Sequence, residues 1–110
     1  MSNNYGLPED AVALVRKRDC RCVYCHKAMV PPNTATWRGD WATIEHLNHR
    51  PPWNNPETIA ICCGSCNSSR GDKPLPKWLE SRYCQERNIS LATVARPVQQ
   101  YLRKRKGRKR

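Results

Sequence analysis

Two segments hold residue types that can do chemistry together. Thr43-Ile44-Glu45-His46 sets a carboxylate beside an imidazole, and Cys63-Gly64-Ser65-Cys66-Asn67-Ser68-Ser69-Arg70-Gly71-Asp72-Lys73 sets an amide beside two thiols and two cations. Hydrolysing a phosphodiester needs an activated water and positive charge near the phosphoryl and leaving oxygens. Histidine, with an ordinary pKa of about 6.5, suits the first task at neutral pH. A hard ion such as Mg2+ or Mn2+, which prefers oxygen ligands, suits the second. On this reading His46 takes the proton, while Glu45 and Asn67 offer a carboxylate and an amide oxygen to the ion. Successive residues of a strand face opposite sides, so Glu45 and His46 serve one site only if the strand ends about there. Asn48, Pro51, Pro52, Asn54, Asn55 and Pro56, just downstream, predict such an end. Each residue also has a plain structural reading, a satisfied histidine or a helix-capping asparagine.

Cys22 and Cys25, with Cys63 and Cys66, form two Cys-x-x-Cys pairs separated by 37 residues. Two intervening residues let both sulfurs turn toward one ion, and two such knuckles complete a closed tetrahedral Zn2+ site. The long separation means that the pairs clamp a folded insert, and that insert contains Glu45 and His46. Cys22-Val23-Tyr24-Cys25-His26 also matches a haem-attachment pattern, but Met29 is too near to reach the opposite haem face. A thioredoxin-like redox pair needs a βαβ setting that the sequence lacks. Cys20, Cys62 and Cys84 read as buried hydrophobes, with Cys20 or Cys62 able to replace a ligand in another register.

The elements that must position these groups read as a small α+β fold. Pro8 to Asp19 predicts a helix, with Leu7, Ala11, Leu14, Val15 and Arg18 on one face. Thr34 to Arg38 and Trp41 to Glu45 predict two strands about Gly39-Asp40, and Leu47 to Glu57 a loop. A strand over Thr58 to Cys62 leads to a short helix from about Cys66 to Arg70, stopped by a left-handed Gly71. Asn67 then falls in the first helical turn, where unpaired amides favour an anion. Pro76 to Asn88 predicts another helix with Trp78, Leu79 and Tyr83 as its apolar contacts. Ser90 opens a last helical segment, interrupted or kinked at Pro97.

Composition sets the bounds. The chain has 110 residues, no Phe, nine Pro and seven Cys, with a mean hydropathy of -0.85. One domain over residues 1–102 is expected, with the motifs between 22 and 79, and so small a core often needs a metal staple. The N-terminus lacks a signal-peptide pattern and no apolar run is long enough for a membrane span. An odd cysteine count then fits a reducing, cytoplasmic setting with free or metal-bound thiols. The net charge is +11, and seven of those charges lie in 103–110, leaving +4 for the rest. Such a run repels itself and reads as a disordered tail, with Arg103, Lys104, Arg105 and Lys106 meeting phosphates regardless of sequence.

Taken in order, Cys-Val-Tyr-Cys at 22–25, Ile-Glu-His-Leu at 44–47 and Cys-Gly-Ser-Cys-Asn-Ser-Ser-Arg-Gly-Asp-Lys at 63–73 resemble the HNH endonuclease family, in its four-cysteine ββα-metal variant. The resemblance covers Cys22 to Leu79. It implies DNA cleavage to 5′-phosphate and 3′-hydroxyl ends, assisted by Mg2+, Mn2+ or a similar ion. It makes His46 the general base, Glu45 the first metal ligand and Asn67 the ligand on the helix, with Cys22, Cys25, Cys63 and Cys66 holding structural zinc. Arg70 and Lys73 look like phosphate contacts. Two positions depart from the pattern: the carboxylate is more often Asp, and Thr58 stands where an Asn usually braces the loop carrying the base. Thr58 can brace through its hydroxyl, or Asn54 or Asn55 can substitute. His49 has two open readings, a further metal or phosphate ligand or a loop residue facing water. One site per chain implies that a monomer nicks one strand and that double-strand cutting needs a dimer or two encounters; a monomer or weak dimer is expected. The competing reading is a non-catalytic zinc module that binds nucleic acid through the basic run and Trp37, Trp41 and Trp53, whose rings can stack on unpaired bases.

Overall fold

In the computed structural model, which describes residues 9–31, 38–48 and 56–108, the first helix (α1) spans Glu9–Arg18. Its buried face is Ala11, Val12 and Val15, whereas Leu14 is 57% exposed. The helix is therefore rolled relative to the expected face, because 11, 12 and 15 share a side at helical spacing as well as 11, 14 and 15 do. Asp19, just past the helix end, is buried. Its carboxylate accepts from Arg18 Nε and Nη2 at 2.8 and 2.9 Å and from the Ile61 backbone N–H at 3.0 Å. Arg18 also donates to the carbonyls of Pro56 and Ile59. These contacts fasten the end of α1 to the strand that contains Ile59 and Ile61.

Two strands, β1 (Ala42–His46) and β2 (Ile59–Cys63), pair antiparallel with Thr43 opposite Cys62, Glu45 opposite Ala60 and His46 opposite Ile59. Period-two alternation sends Ile44, Ile59 and Ile61 to the α1 side, where they pack with Val12 and Val15. Ala60 and Cys62 face the other way, into a larger cluster with Tyr24, Leu75, Trp78, Cys84, Ile89, Val94 and Val98. β2 turns into α2 (Gly64–Arg70) with no intervening loop, Cys63 being its N-cap. Gly71 stops it at φ 54°, a conformation that costs an L side chain and that glycine tolerates.

The helix expected over Pro76 to Asn88 divides into α3 (Leu75–Trp78) and α4 (Arg82–Glu86). Ser81 is extended and its side chain accepts from the Cys84 N–H, so a capping residue starts a new helix there. The break lets both Trp78 and Cys84 reach the core. The last helix, α5, runs Arg96–Arg108. Pro97 sits in its first turn, where a missing N–H costs nothing, and produces no kink. The basic run from Arg103 is helical through Arg108, where a disordered tail was expected. Val98 is buried and Tyr101 and Leu102 pack on the core, so tertiary contacts nucleate a helix that the charged residues extend. Lys104 reinforces it with a 2.5 Å ion pair to Glu57.

The fold is a small α+β arrangement with a two-stranded antiparallel sheet, and no helix among the described residues is long and apolar enough to cross a membrane. Strand Thr34–Arg38, apart from Arg38, and Trp37, His49, Trp53, Asn54 and Asn55 lie outside the described residues. Arg38 is not in a strand. The Asp19 contacts give a direct test. Asp19→Ala leaves the Ile61 amide and Arg18 without their acceptor and should cost about 2 kcal/mol, read by urea denaturation. Asp19→Asn, which keeps one acceptor oxygen, should cost less.

Candidate metal centre and the cluster around His46

Four sulfurs converge at the junction of β2 and α2. The Sγ atoms of Cys22, Cys25, Cys63 and Cys66 all lie within 4.8 Å of one another. Four thiolates bound about 2.3 Å from a tetrahedral ion stand about 3.8 Å apart, and the Cys25–Cys63 separation is 3.8 Å. The cluster can therefore hold a metal ion such as zinc, and its donor set and closed, buried surroundings fit that ion. Cys62 and Cys84 are buried in the same apolar cluster, but the Cys62 Sγ lies at 3.8 Å from Thr43 Oγ1. Cys20, expected inside, is exposed. Neither Cys20 nor Cys62 belongs to the ligand set.

Local backbone explains why the knuckles close. His26 N–H donates to Cys22 O at 2.9 Å and Cys22 N–H to Lys27 O at 3.0 Å, with His26 at φ 65°. The knuckle is tied to β2 by Val23 N–H to Ile61 O and to the start of α5 by Ala95 N–H to Val23 O. The sulfurs share protons unequally. Hydrogen bonding from Cys22 first of all pulls the Cys63 thiol down to about 6 and Cys25 well below the usual range. Cys22 is pushed up chiefly by its bond with Cys25, and Cys66 chiefly by its bond with Cys22. Four thiols this close stabilise thiolate only on some members; a divalent cation removes that limit. Tyr83 hydroxyl also donates to Cys66 Sγ at 3.3 Å.

Behind the sulfurs lies a buried polar triad. Tyr24, between the two knuckle cysteines, donates its hydroxyl to Glu45 Oε2 at 2.5 Å. Arg70, at the end of α2, donates Nη1 to the same oxygen at 2.8 Å, and both side chains of this ion pair are 2% exposed. The remaining Arg70 donors go to the carbonyls of Lys73 (Nε), His46 (Nη1) and Leu47 (Nη2) at 2.9, 3.0 and 2.9 Å. Burial and the adjacent carboxylate hold the Tyr24 phenol well above its ordinary range, so it stays a donor. Burial acts most strongly and disfavours the Arg70 charge, but Glu45 and Tyr24 together outweigh it and raise the guanidinium pKa. Both hydrogen bonds to Glu45 fall on Oε2.

This geometry corrects two expectations. Arg70 does not face phosphate; it is 1% exposed, and every nitrogen of its guanidinium is used inside the protein. Glu45 and His46 do not face the same side of the sheet. β1 stays regular through His46, so Glu45 turns toward α2 and the cysteines while His46 turns to the α1 side. Asn67 is the fourth residue of α2, which starts two residues earlier than expected. Its Nδ2 donates to Thr43 Oγ1 at 2.9 Å and Ile44 O at 3.1 Å. A carbonyl accepts only, which fixes the amide's orientation and leaves Oδ1 uncommitted among the described residues. His46 is half-buried and its Nε2 is shielded from solvent.

The remaining expected residues fall as follows. Thr58 braces the end of β1 through its main chain, its carbonyl accepting from Leu47 N–H at 2.8 Å. Lys73 is exposed, its Nζ donating to Ser69 O, and Arg103 and Lys104 are exposed on α5. Arg105 and Lys106 occupy its next turn. Trp78 is fully buried, edge-on to Tyr24 at 4.8 Å, and donates Nε1 to Ser69 Oγ. Tyr24 and the inward role of Arg70 were not anticipated. The available signal was the strand period: a glutamate on the helix-facing side of a buried strand needs a cation.

Purified protein should carry one zinc ion per chain by elemental analysis. Cys66→Ser should lose most of it and unfold in circular dichroism, whereas Cys20→Ser should keep both metal and fold.

Comparison of the chain with protein-family models, with curated proteins and with solved structures finds no match.

Proposed function

We propose that this protein is a divalent-metal-dependent DNA endonuclease of the HNH type, with His46 as its general base. The observation that carries the reading is the β1–β2–α2 unit stapled by the four cysteines. In it His46 closes the first strand, and Asn67 on the helix is tied to that strand by two hydrogen bonds. Motif order along the chain and this packing of helix on hairpin support the same assignment. In the proposed step His46 accepts a proton from water as the water oxygen attacks phosphorus. The bond to the 3′ oxygen breaks, leaving a 5′-phosphate, and the departing oxygen takes a proton from solvent. Substrate binding must uncover Nε2 for this transfer, because a base needs hydrogen-bond reach to its proton.

A Mg2+ or Mn2+ ion would supply positive charge to the phosphoryl oxygens. Asn67 Oδ1 fits a role as oxygen donor. Glu45 does not fit that role, being enclosed by Tyr24 and Arg70. Lys73, Arg103 and Lys104 remain as exposed candidates for phosphate contact. The rival is a non-catalytic zinc module that binds nucleic acid, favoured by the displacement of Glu45 from the expected ligand position.

The deciding measurement is plasmid relaxation across divalent metals. Wild type should nick with Mg2+ or Mn2+, and His46→Ala should be at least about 100-fold slower with zinc content unchanged. Binding without cleavage under any divalent ion would instead establish the rival. Removing residues 103–110, which carry seven cations, should lower the log–log salt slope of DNA binding by up to about 6, measured by fluorescence anisotropy.

A further inference from the structure

We propose that Glu45 is not a ligand of a catalytic ion but the buried counter-ion of Arg70, and that Arg70 is a positioning residue which holds the backbone carrying His46. The step from positioning to catalysis rests on the nuclease reading above. The pairing itself does not.

Arg70 joins two pieces of chain: its donors reach Lys73 O beyond α2, and Glu45 with the carbonyls of His46 and Leu47 where β1 ends. Two of those acceptors are the consecutive carbonyls of His46 and Leu47, so the guanidinium fixes the exit of the strand at the residue proposed as base. The planar fork of arginine makes this possible; a lysine ammonium, a point donor on a flexible stem, cannot reach all of these acceptors at once.

The carboxylate is needed for a different reason. A guanidinium with a side chain 2% exposed is unstable in the interior unless a negative charge faces it. Glu45 supplies that charge from the neighbouring strand. Its longer side chain, compared with aspartate, spans the gap from β1 to Arg70 on the helix. Tyr24 then donates to the same oxygen from within the metal knuckle. The chain of contacts therefore runs from the thiol cluster through Tyr24, Glu45 and Arg70 to the carbonyl of His46. Folding of the knuckle and placement of His46 are mechanically linked through it. An ion shared by Glu45 and Asn67 would require Oε1 to leave this enclosure.

The test uses the full chain loaded with zinc and compares wild type with Glu45→Gln, Arg70→Lys and Tyr24→Phe. Glutamine keeps an acceptor for both donors while removing the charge. Zinc content checks the fold of each variant. Hydrogen exchange of the His46 and Leu47 amides should speed up by about tenfold or more in Glu45→Gln and Arg70→Lys, with α1 amides unchanged, since exchange reports local opening. Nicking should fall about 10- to 100-fold, the scale of a small misplacement of a reacting group, while the Mn2+ concentration for half-maximal rate moves less than about twofold. Should Glu45→Gln instead raise that Mn2+ requirement tenfold with exchange at Leu47 unchanged, Glu45 is a metal ligand and the proposal fails. If glutamine proves too disruptive to retain zinc, Tyr24→Phe and Arg70→Lys carry the same exchange readout. A wild type that does not nick DNA defeats the nuclease reading alone; accelerated exchange in these variants would still support the pairing, and unchanged exchange would overturn it.

Discussion

The convergence of four sulfurs is the constraint on which the other contacts rest. Cys22 and Cys25 lie on a turn between α1 and β1, while Cys63 and Cys66 lie where β2 becomes α2. Bringing these pairs within 4.8 Å closes a long loop of chain, an entropic cost that grows slowly with length. The sheet inside that loop has two strands, too few to be stable alone. A metal ion such as zinc bound by such ligands contributes on the order of 10 kcal/mol to folding in small modules. That scale exceeds what one small core supplies, so the sulfur cluster and the hydrophobic clusters on the two sides of the sheet form as one unit.

Polar groups buried beside the cluster turn this clamp into a positioning device. The Tyr24–Glu45–Arg70 triad is sealed, and breaking such a pair by deleting one partner costs about 3–5 kcal/mol because the other charge is stranded. An apolar replacement of both would be cheaper to bury. The triad therefore makes more sense as a means of fixing geometry than as a source of stability, since Arg70 spends its other donors on main-chain carbonyls at the end of β1. Asp19 works in the same way on the opposite side of the sheet, where a buried carboxylate joins α1 to the Ile61 amide.

Charge is distributed to match. The guanidinium in the core is neutralised internally, whereas Lys73, Arg103 and Lys104 stay at the surface. The basic run, which would repel itself as an isolated peptide, is carried as a helix because Val98, Tyr101 and Leu102 anchor its first turns.

The sequence by itself determined which four cysteines cluster, because Cys-x-x-Cys spacing confines two sulfurs locally and leaves few alternatives. It also determined the strand–strand–helix order and the left-handed glycine at the helix stop, which depend on neighbours along the chain. Tertiary structure decided which side each residue serves. The α1 face was open because two helical stripes differed by one residue, and only packing on Ile44, Ile59 and Ile61 selected one. The division of α3 from α4 followed from the need to bury Trp78 and Cys84 together. Glu45 and Arg70 are 25 residues apart, and no local pattern states that they will meet. Their roles changed from metal ligand and phosphate contact to an internal ion pair because a regular strand sends Glu45 and His46 to opposite faces, and a buried charge must find its partner across the fold.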